Sequence, residues 1–296
     1  MIKNKDVLSL FLCYVLWGFQ PLYWSFTSQV NPYVILCCRI IMAALFSVLI
    51  LAFTHRLTQL RDIFLSKSIL KFLIPATVFL FLDWAVFIVV VNSGHVLDAS
   101  LGYYINPLVL FIFGVVIYRE KCSKIQLLAL GIAVAGVAVS TVGFGTFPFI
   151  SVIIAVNWAV YAALKKNVRL DGVLSIAAET LILTPFAIAF LLIFKRSDFA
   201  LMGAKELLFM AGSGIVTALP MFLYSNSVAK FPLIIMCFAQ YLSPTFNLIC
   251  GMMMGESFSK SQLISFAFFV AAIIVFTVSE VMGLRKDGGL AGKNRQ

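Results

Sequence analysis

Ten apolar stretches, each long enough for a helix to cross a bilayer, occupy nearly all of this 296-residue sequence. The hydrocarbon core of a membrane is about 30 Å thick, and a helix needs roughly 20 mostly apolar residues to span it. Hydrophobic residues make up 62% of the chain and charged residues 11%, whereas soluble domains have about 45–50% and about 25%. We therefore predict an all-α membrane protein with ten transmembrane helices. The predicted spans are 7–26, 32–53, 69–91, 97–118, 124–142, 147–164, 174–194, 207–227, 231–254 and 260–282.

The distribution of Lys and Arg predicts the orientation of the chain. With the N-terminus inside, 17 of the 22 Lys and Arg residues, among them Lys165, fall in cytoplasmic segments, four fall outside, and Arg39 lies within the second span. Cytoplasmic loops of membrane proteins carry such an excess of positive charge. We expect a multi-pass protein of the cell (cytoplasmic) membrane with both termini cytoplasmic and a flexible cytoplasmic tail at 283–296. The net charge of +10 follows from this topology and needs no nucleic-acid partner.

An internal repeat divides the chain into two halves. The segment YINP at 104–107 recurs as YLSP at 241–244, and a Gly, a Glu and a Gln follow each copy in the same order. These later pairs are Gly114 and Gly251, Glu120 and Glu256, and Gln126 and Gln262. Since each half holds five helices, the second half enters the membrane from the opposite side. We predict two inverted five-helix repeats, 1–142 and 147–282; chance similarity between two apolar helices is the alternative.

Inverted repeats are typical of secondary transporters, whose substrate sites lie near the midplane where the repeats meet. Two similar halves that face opposite ways supply two conformations of nearly equal energy, which alternating access requires. Pro107 and Pro244 lie near the middle of their spans and are expected to kink them, because proline removes a backbone hydrogen bond. This organisation favours a transporter over a receptor or an enzyme.

Two charged residues, Arg39 and Asp83, lie roughly 10–12 Å below the outer ends of two consecutive spans, at about 1.5 Å per residue. A charge at this depth is costly unless it is paired or faces water, so we expect an Arg39–Asp83 ion pair. Such a pair either fixes the register of the helices or forms part of a cavity wall that meets a polar substrate.

Glu179 lies in the seventh span, which is the repeat counterpart of the second span, where Arg39 lies. Glu179 could anchor a charged group or act in a gate. A carboxyl group in a low-dielectric environment takes up a proton more readily. Asp83 or Glu179 could therefore hold a coupling proton.

Amphipathic aromatic and amide side chains at mid-depth indicate a polar cavity, because Trp and Tyr otherwise favour the membrane interface. Trp24, near the outer boundary, is expected to be an interface anchor, and Phe269 is expected to face lipid. The predicted substrate-binding residues are Trp17, Gln20, Arg39, Asp83, Trp84, Tyr104, Asn106, Tyr161, Glu179, Gln240 and Tyr241.

The sequence has no HExxH motif, no Walker loop and no cluster of Cys and His at metal-ligand spacing. We therefore predict no enzyme, no metal or cofactor site and no ATP-driven pump. A stripe of small residues in the fifth span predicts close packing within the bundle or a dimer seam, which leaves monomer and homodimer open. The stripe comprises Ala129, Ala133, Gly136, Ser140 and Gly143.

Residues 97–108 (LDASLGYYINPL), with Trp17-Gly18 and Arg39, resemble the RarD branch of the EamA transporters in the drug/metabolite transporter superfamily. The resemblance extends over essentially the whole chain. It implies ten helices in two inverted repeats in the bacterial cytoplasmic membrane, and secondary transport of small metabolites. Members of the family are linked to amino acids, amphenicol drugs and quaternary amines. Asp83 departs from the family pattern, in which a neutral Asn is common, so the charge of the substrate is not carried over.

These features together predict a secondary transporter that moves a small solute, such as an amino acid, an amine or a drug-like molecule, by alternating access. A channel or a lipid scramblase is the alternative. A channel would need a continuous polar stripe or a charged ring, whereas the polar groups here cluster near mid-depth.

The predicted topology can be tested with reporter fusions. A reporter fused after residue 285 should be active as a cytoplasmic fusion and one at residue 145 as a periplasmic fusion, because an even number of spans returns the chain to its starting side. A periplasmic C-terminus would contradict both the count of ten helices and the inverted repeat.

Overall fold

The computed structural model describes most of the chain as helix. The described backbone ranges are 4–92, 96–144, 149–255 and 260–293, and side chains are described in them except at 87–92, 96–100, 143–144 and 280–293. No strand occurs in these ranges. The helices are α1 (Asn4–Trp24), α2 (Pro32–Phe53), α3 (Leu57–Leu65), α4 (Lys67–Asn92), α5 (Val96–Val116), α6 (Lys124–Phe144), α7 (Phe149–Val168), α8 (Gly172–Phe194), α9 (Arg196–Ala200), α10 (Ala204–Val228), α11 (Leu233–Gln240), α12 (Leu242–Met253) and α13 (Lys260–Lys293).

The predicted all-α membrane fold is confirmed. Among the described residues, nine helical segments are long and apolar enough to cross a membrane, and Leu101–Val116 of α5 is a tenth, shorter apolar helix. Short connections between consecutive long helices make the chain run up and down through the bundle. The end where α1 begins and where α2, α7 and α10 end carries Arg56, Lys166 and Lys230; we call it the basic end.

Local sequence signals explain where two of the long helices begin. Pro32 occupies the first turn of α2, and the Asn31 side chain before it accepts a hydrogen bond from the Tyr33 backbone N–H at 3.0 Å. Asp171 caps α8 in the same way and accepts from the Leu174 N–H at 3.3 Å. Such caps satisfy backbone donors that the first helical turn leaves unpaired.

Two short helices and the end of the last helix differ from the sequence-based prediction. The short helices α3 and α9 lie in segments that were expected to be loops. In α3, Leu60 and Ile63 are buried against the basic-end half of the bundle, which explains why the segment is ordered as an amphipathic helix. The last helix continues to Lys293, past the predicted end of its span at 282. The flexibility of the tail stays a prediction.

The ninth span is broken into α11 and α12 by a turn at Tyr241. Pro244 has no N–H to donate to the carbonyl of Gln240, four residues earlier, so the regular hydrogen-bond ladder is interrupted here. Pro107 occupies the corresponding place in α5, and that helix is unbroken. The two mid-span prolines, expected to act alike, therefore have different local structures.

Helices of the first half pack mainly against helices of the second. Helix α6 packs on α13, and α2 packs on α8. If each helix is replaced by the helix at the same position of the other half, the α5–α7 pair becomes the α12–α1 pair. In the same way the α4–α7 pair becomes the α10–α1 pair. The site described below lies between these cross-half pairs.

Gly214 permits the close approach of α10 to α2. A Cβ atom at this position would overlap the Met42 carbonyl group and would lie 2.9 Å from the Met42 Cβ atom. Because the obstacle is the backbone of α2, it cannot be relieved by rotating a side chain.

Replacement of Gly214 should therefore destabilise the fold. Gly214→Ala is expected to lower the free energy of unfolding by about 1–3 kcal/mol, the usual cost of overpacking, measured by thermal unfolding in detergent. Gly131→Ala in α6 is the matched control, because a Cβ there would meet nothing within 4 Å. Equal stability of the two variants would contradict the proposed close approach.

Candidate functional site

A cavity of about 210 Å³ lies between the two halves. It is bordered by α1, α2, α4 and α5 from the first half and by α7, α10, α11 and α12 from the second. The residues that line it are Tyr14, Trp17, Gln20, Pro21, Trp24, Arg39, Asp83, Trp84, Tyr103, Asn106, Trp158, Met221, Gln240, Ser243, Pro244 and Asn247. About 10–15 Å³ of such space holds one water, so the cavity is large enough for a small solute.

One wall of the cavity is backed by an aromatic cluster of Tyr14, Trp17, Trp158, Tyr161 and Tyr224. Trp17 lies 5.5 Å from Trp158 and 5.3 Å from Tyr224 between ring centroids, and Trp158 lies 5.2 Å from both Tyr161 and Tyr224. Trp17, Trp158 and Tyr14 reach the cavity, whereas Tyr161 and Tyr224 are fully buried behind them. The cluster joins α1 of the first half to α7 and α10 of the second.

Arg39 lies between two tryptophans at the cavity wall. Its guanidinium carbon is 4.4 Å from the ring centroid of Trp84 and 5.4 Å from that of Trp24, which are cation–π distances. Its Nε atom is buried and has no hydrogen-bond partner among the described residues. Trp24, expected to anchor the chain at the interface, instead borders the cavity and contacts this cation.

Asp83 is buried at the same cavity but does not form the predicted ion pair with Arg39. The two described side chains have no N–O distance within 4.0 Å. Asp83 instead interacts with the side-chain amide of Asn157 on α7, and Asn157 donates from Nδ2 to the Phe79 carbonyl oxygen at 2.9 Å. The sequence predicted similar depths for the two charges, whereas contact also depends on the rotation of each helix.

Amide side chains supply most of the remaining polarity. Gln20 donates from Nε2 to the Val216 carbonyl oxygen at 2.8 Å and so links α1 to α10. The Oδ1 atoms of Asn106 and Asn247 and the Oε1 atom of Gln240 are buried without a partner in the described structure. Since an unsatisfied buried acceptor is costly, these three oxygens are suited to accept hydrogen bonds from a solute or from water.

Tyr104 and Tyr241 do not line the cavity. They pack on the two faces of the Phe269 ring, at centroid distances of 4.6 and 5.0 Å, and Tyr241 donates from its hydroxyl to the Tyr104 carbonyl oxygen at 3.3 Å. Phe269 is 1% exposed, so its prediction as a lipid-facing residue is wrong. Tyr103 and Gln240, the neighbours in sequence of the two tyrosines, reach the cavity instead, because successive helical residues point about 100° apart.

Glu179 also lies away from the cavity. Its Oε2 atom is 2.5 Å from the Lys165 Nζ atom, with both side chains almost fully buried, and it accepts a hydrogen bond from the Tyr161 hydroxyl at 3.4 Å. Lys165, predicted in a cytoplasmic loop, is thus inside α7. Tyr161 connects this ion pair to the aromatic cluster and does not itself line the cavity.

Seven of the eleven predicted residues border the cavity: Trp17, Gln20, Arg39, Asp83, Trp84, Asn106 and Gln240. Their role in binding stays a prediction. The remaining four are the residues described above as packing behind it. Among the lining residues that the prediction missed, Ser243 and Asn247 follow Gln240 at helical spacing, and this polar stripe was visible in the sequence.

The burial of the Lys165–Glu179 ion pair leads to a testable prediction about the stability of the protein. Glu179→Gln or Lys165→Met alone should cost about 3–5 kcal/mol of unfolding free energy, because each leaves an uncompensated charge in the protein interior. The double variant Lys165→Met with Glu179→Leu should be more stable than either single variant, as measured by thermal unfolding in detergent.

The partly exposed pair Lys195–Asp198 provides the control. Lys195→Met should cost at most about 1 kcal/mol, since exposed ion pairs contribute little. If Glu179→Gln lowered the free energy of unfolding as little as Lys195→Met, the buried ion pair would not stabilise the fold.

The chain is similar to a transporter family and to several bacterial proteins, some of them named as transporters. Residues 4–142 match the EamA-like transporter family. "Uncharacterized transporter YojE" of Bacillus subtilis (strain 168) is 34% identical over 94% of this chain and 95% of its own. "Protein RarD" of Salmonella typhi is 30% identical over 96% of this chain and 98% of the relative. "Protein RarD" of Escherichia coli (strain K12) is 28% identical over 96% of this chain and 97% of the relative. A solved crystal structure with 16% identity has a TM-score of 0.73 over 94% of this chain and 98% of that chain, so the fold is shared.

Proposed function

The chain belongs to the RarD branch of the EamA-like transporter family, and on that premise we propose that it is a secondary transporter that works by alternating access. It is a multi-pass membrane protein and a transporter of the cell membrane, as predicted. The proposed cargo is a small metabolite or drug-like solute, and the proposed site is the cavity between the halves.

The cavity is the observation that carries this proposal. It is bordered by four helices from each half and combines a cation, a carboxylate, amide oxygens and aromatic rings. Ligand sites generally combine an apolar lining with a few polar groups that fix the orientation of the ligand. In inverted-repeat transporters the site lies where the repeats meet.

The helix packing supports two inverted repeats at 1–142 and 147–282. Exchange of the halves converts the α5–α7 pair into α12–α1 and the α4–α7 pair into α10–α1, and it leaves the α6–α13 and α2–α8 pairs as they are. Glu256, the predicted repeat partner of Glu120, lies outside the described residues. A rocking motion of the halves would exchange the environments of corresponding helices and expose the cavity to the other side.

Contacts between the halves at the basic end support a closed gate on that side. The Glu120 carboxylate accepts hydrogen bonds from the Leu233 and Ile234 backbone N–H groups, at 2.8 and 3.0 Å, where α11 begins. Lys230 contacts Asp6 at 2.6 Å, and Arg56 forms an ion pair with Asp171. A solute that leaves the cavity through the basic end requires these helices to separate. If the basic end is cytoplasmic, this conformation is closed to the cytoplasm.

The transport test begins with the discovery of a ligand. Purified protein is screened by thermal shift against amino acids, amines and amphenicol drugs, because a ligand that binds the native state stabilises it by RT ln(1 + [L]/Kd). A radiolabelled hit is then measured in proteoliposomes. We expect saturable uptake that is stimulated by the unlabelled solute on the opposite side.

Gln240→Ala should reduce this counterflow about five- to tenfold, as expected for the loss of one hydrogen bond to the solute. Phe186→Leu is the control, because Phe186 is 70% exposed on α8 and does not border the cavity. Flux that neither saturates nor shows trans-stimulation would contradict a carrier and would favour the channel or scramblase alternative.

A further inference from the structure

The short helix α3 has apolar side chains on two sides, and only one side packs on the protein. Leu60 and Ile63 are buried against the start of α8. Leu57, Phe64 and Leu65 are each at least 38% exposed, so the described part of the chain leaves this second apolar side open. Short amphipathic helices lie in the membrane interface with such a side at the boundary between headgroups and acyl chains.

Helix α4 continues the surface with two lysines at the end of an apolar stripe. Its exposed residues include Lys67, Lys71, Ile74 and Val78. Because they are spaced by four, three and four residues, their side chains lie on one face of the helix. The opposite face is buried in the bundle, as at Leu73. The stripe therefore faces lipid, and the lysines lie where it reaches the basic end.

The cations on this surface are not neutralised by the described part of the chain. Lys67, Lys71 and Arg61 are exposed, and none of them has a carboxylate oxygen of a described residue within 4.0 Å. Asp62 is the one acidic residue between positions 57 and 71. The segment that contains α3 and the first turn of α4 thus has an excess of positive charge.

Arg61 lies close to the two lysines along the chain. Only Ser66 separates α3 from α4. The Cα atoms of Arg61 and Lys67 are therefore at most about 14 Å apart, at about 1.5 Å per helical residue and about 3.8 Å per link. Both long side chains can extend along an apolar surface and keep their charged ends at the same polar layer.

We propose that α3 and the start of α4 form a binding site for an anionic phospholipid. The lipid phosphate binds Lys67 and Lys71, with Arg61 as a third cation, and an acyl chain lies along Ile74 and Val78. Each Lys or Arg near an anionic membrane surface contributes about fivefold in affinity. The inference goes beyond the proposed function, because the site lies outside the cavity and needs no transport.

The apolar stripe favours a lipid over a free phosphate. A soluble anion would contact only the charged ends of the side chains and would leave Ile74, Val78 and the open side of α3 without a partner. A phospholipid joins a phosphate to acyl chains, and the surface presents cations next to an apolar face in the same order.

Three probes separate the charge of the lipid from its chains. Dioleoyl phosphatidylglycerol is anionic, dioleoyl phosphatidylcholine has the same chains and no net charge, and glycerol 1-phosphate has the phosphate without chains. Binding to the purified full-length protein in detergent is measured by native mass spectrometry. Phosphatidylglycerol should bind about tenfold or more tightly than either of the other probes.

Variants then assign this preference to the proposed site. Lys67→Gln with Lys71→Gln should weaken phosphatidylglycerol about tenfold or more and leave phosphatidylcholine unchanged. Lys67→Arg with Lys71→Arg keeps the charge and should bind within about twofold of the wild type. Arg61→Gln alone should weaken phosphatidylglycerol about fivefold.

Arg119→Gln with Lys121→Gln is the matched control. Both residues are exposed in the connection between α5 and α6, so the change in charge at the basic end is the same but does not touch α3 or α4. This pair should change the affinity less than about twofold. Thermal unfolding without added lipid should be the same for both glutamine pairs, which checks that the fold is intact.

The outcomes decide the assignment independently of transport. Equal affinity of the wild-type protein for the two lipids overturns it. An equal loss in the control pair overturns it too, because the attraction would then belong to the whole basic end. Binding of glycerol 1-phosphate as tight as that of phosphatidylglycerol would replace the lipid site by a site for soluble anions. The counterflow measurement tests the carrier separately, so either conclusion can fail while the other stands.

Discussion

Inside a bilayer, a charged side chain must find a partner in the protein or face water, because hydrocarbon offers it no hydrogen bonds. This constraint sorts the ionisable groups of the chain by position. Arg56 and Asp171 pair at the basic end, and Lys165 and Glu179 pair within the bundle. Arg39 and Asp83 have no salt-bridge contact within 4.0 Å in the described part of the chain, and both border the cavity. The candidate site thus lies where two buried charges of the described structure are not closed into an ion pair.

The same constraint explains why the halves are joined in two different ways. Near the cavity, the junction is mainly aromatic, and rings of α1, α7 and α10 contact one another. At the basic end, the junction consists of hydrogen bonds such as those from the Leu233 and Ile234 N–H groups to Glu120. In water these groups exchange one hydrogen-bond partner for another at small net cost.

The break at Tyr241 links backbone chemistry to the site. Because Pro244 cannot complete the helical ladder, the helix is interrupted at Tyr241 between α11 and α12, and residues on both sides of the break reach the cavity. Gln240 precedes the break, and Ser243 and Asn247 follow it. The corresponding α5 is continuous through Pro107, so one half contributes a broken helix and the other an unbroken one. Two amide side chains, Gln240 and Asn247, line the cavity from α11 and α12, and one, Asn106, lines it from α5.

The sequence by itself determined the number of long apolar spans, their approximate ends and the approximate depth of residues within them, because hydrophobicity and rise per residue depend on position along one axis, and its motifs indicated the family. It therefore placed Arg39, Asp83, Asn106 and Gln240 at the level of the cavity. Only the tertiary structure decided the rotation of each helix about its axis, on which every contact also depends. A rotation of about 100° per residue separates Tyr103, in the cavity, from Tyr104, behind it. The rotation of the helices also decides whether Arg39 and Asp83, which lie at similar depth, are in contact. Packing between distant segments sets that rotation.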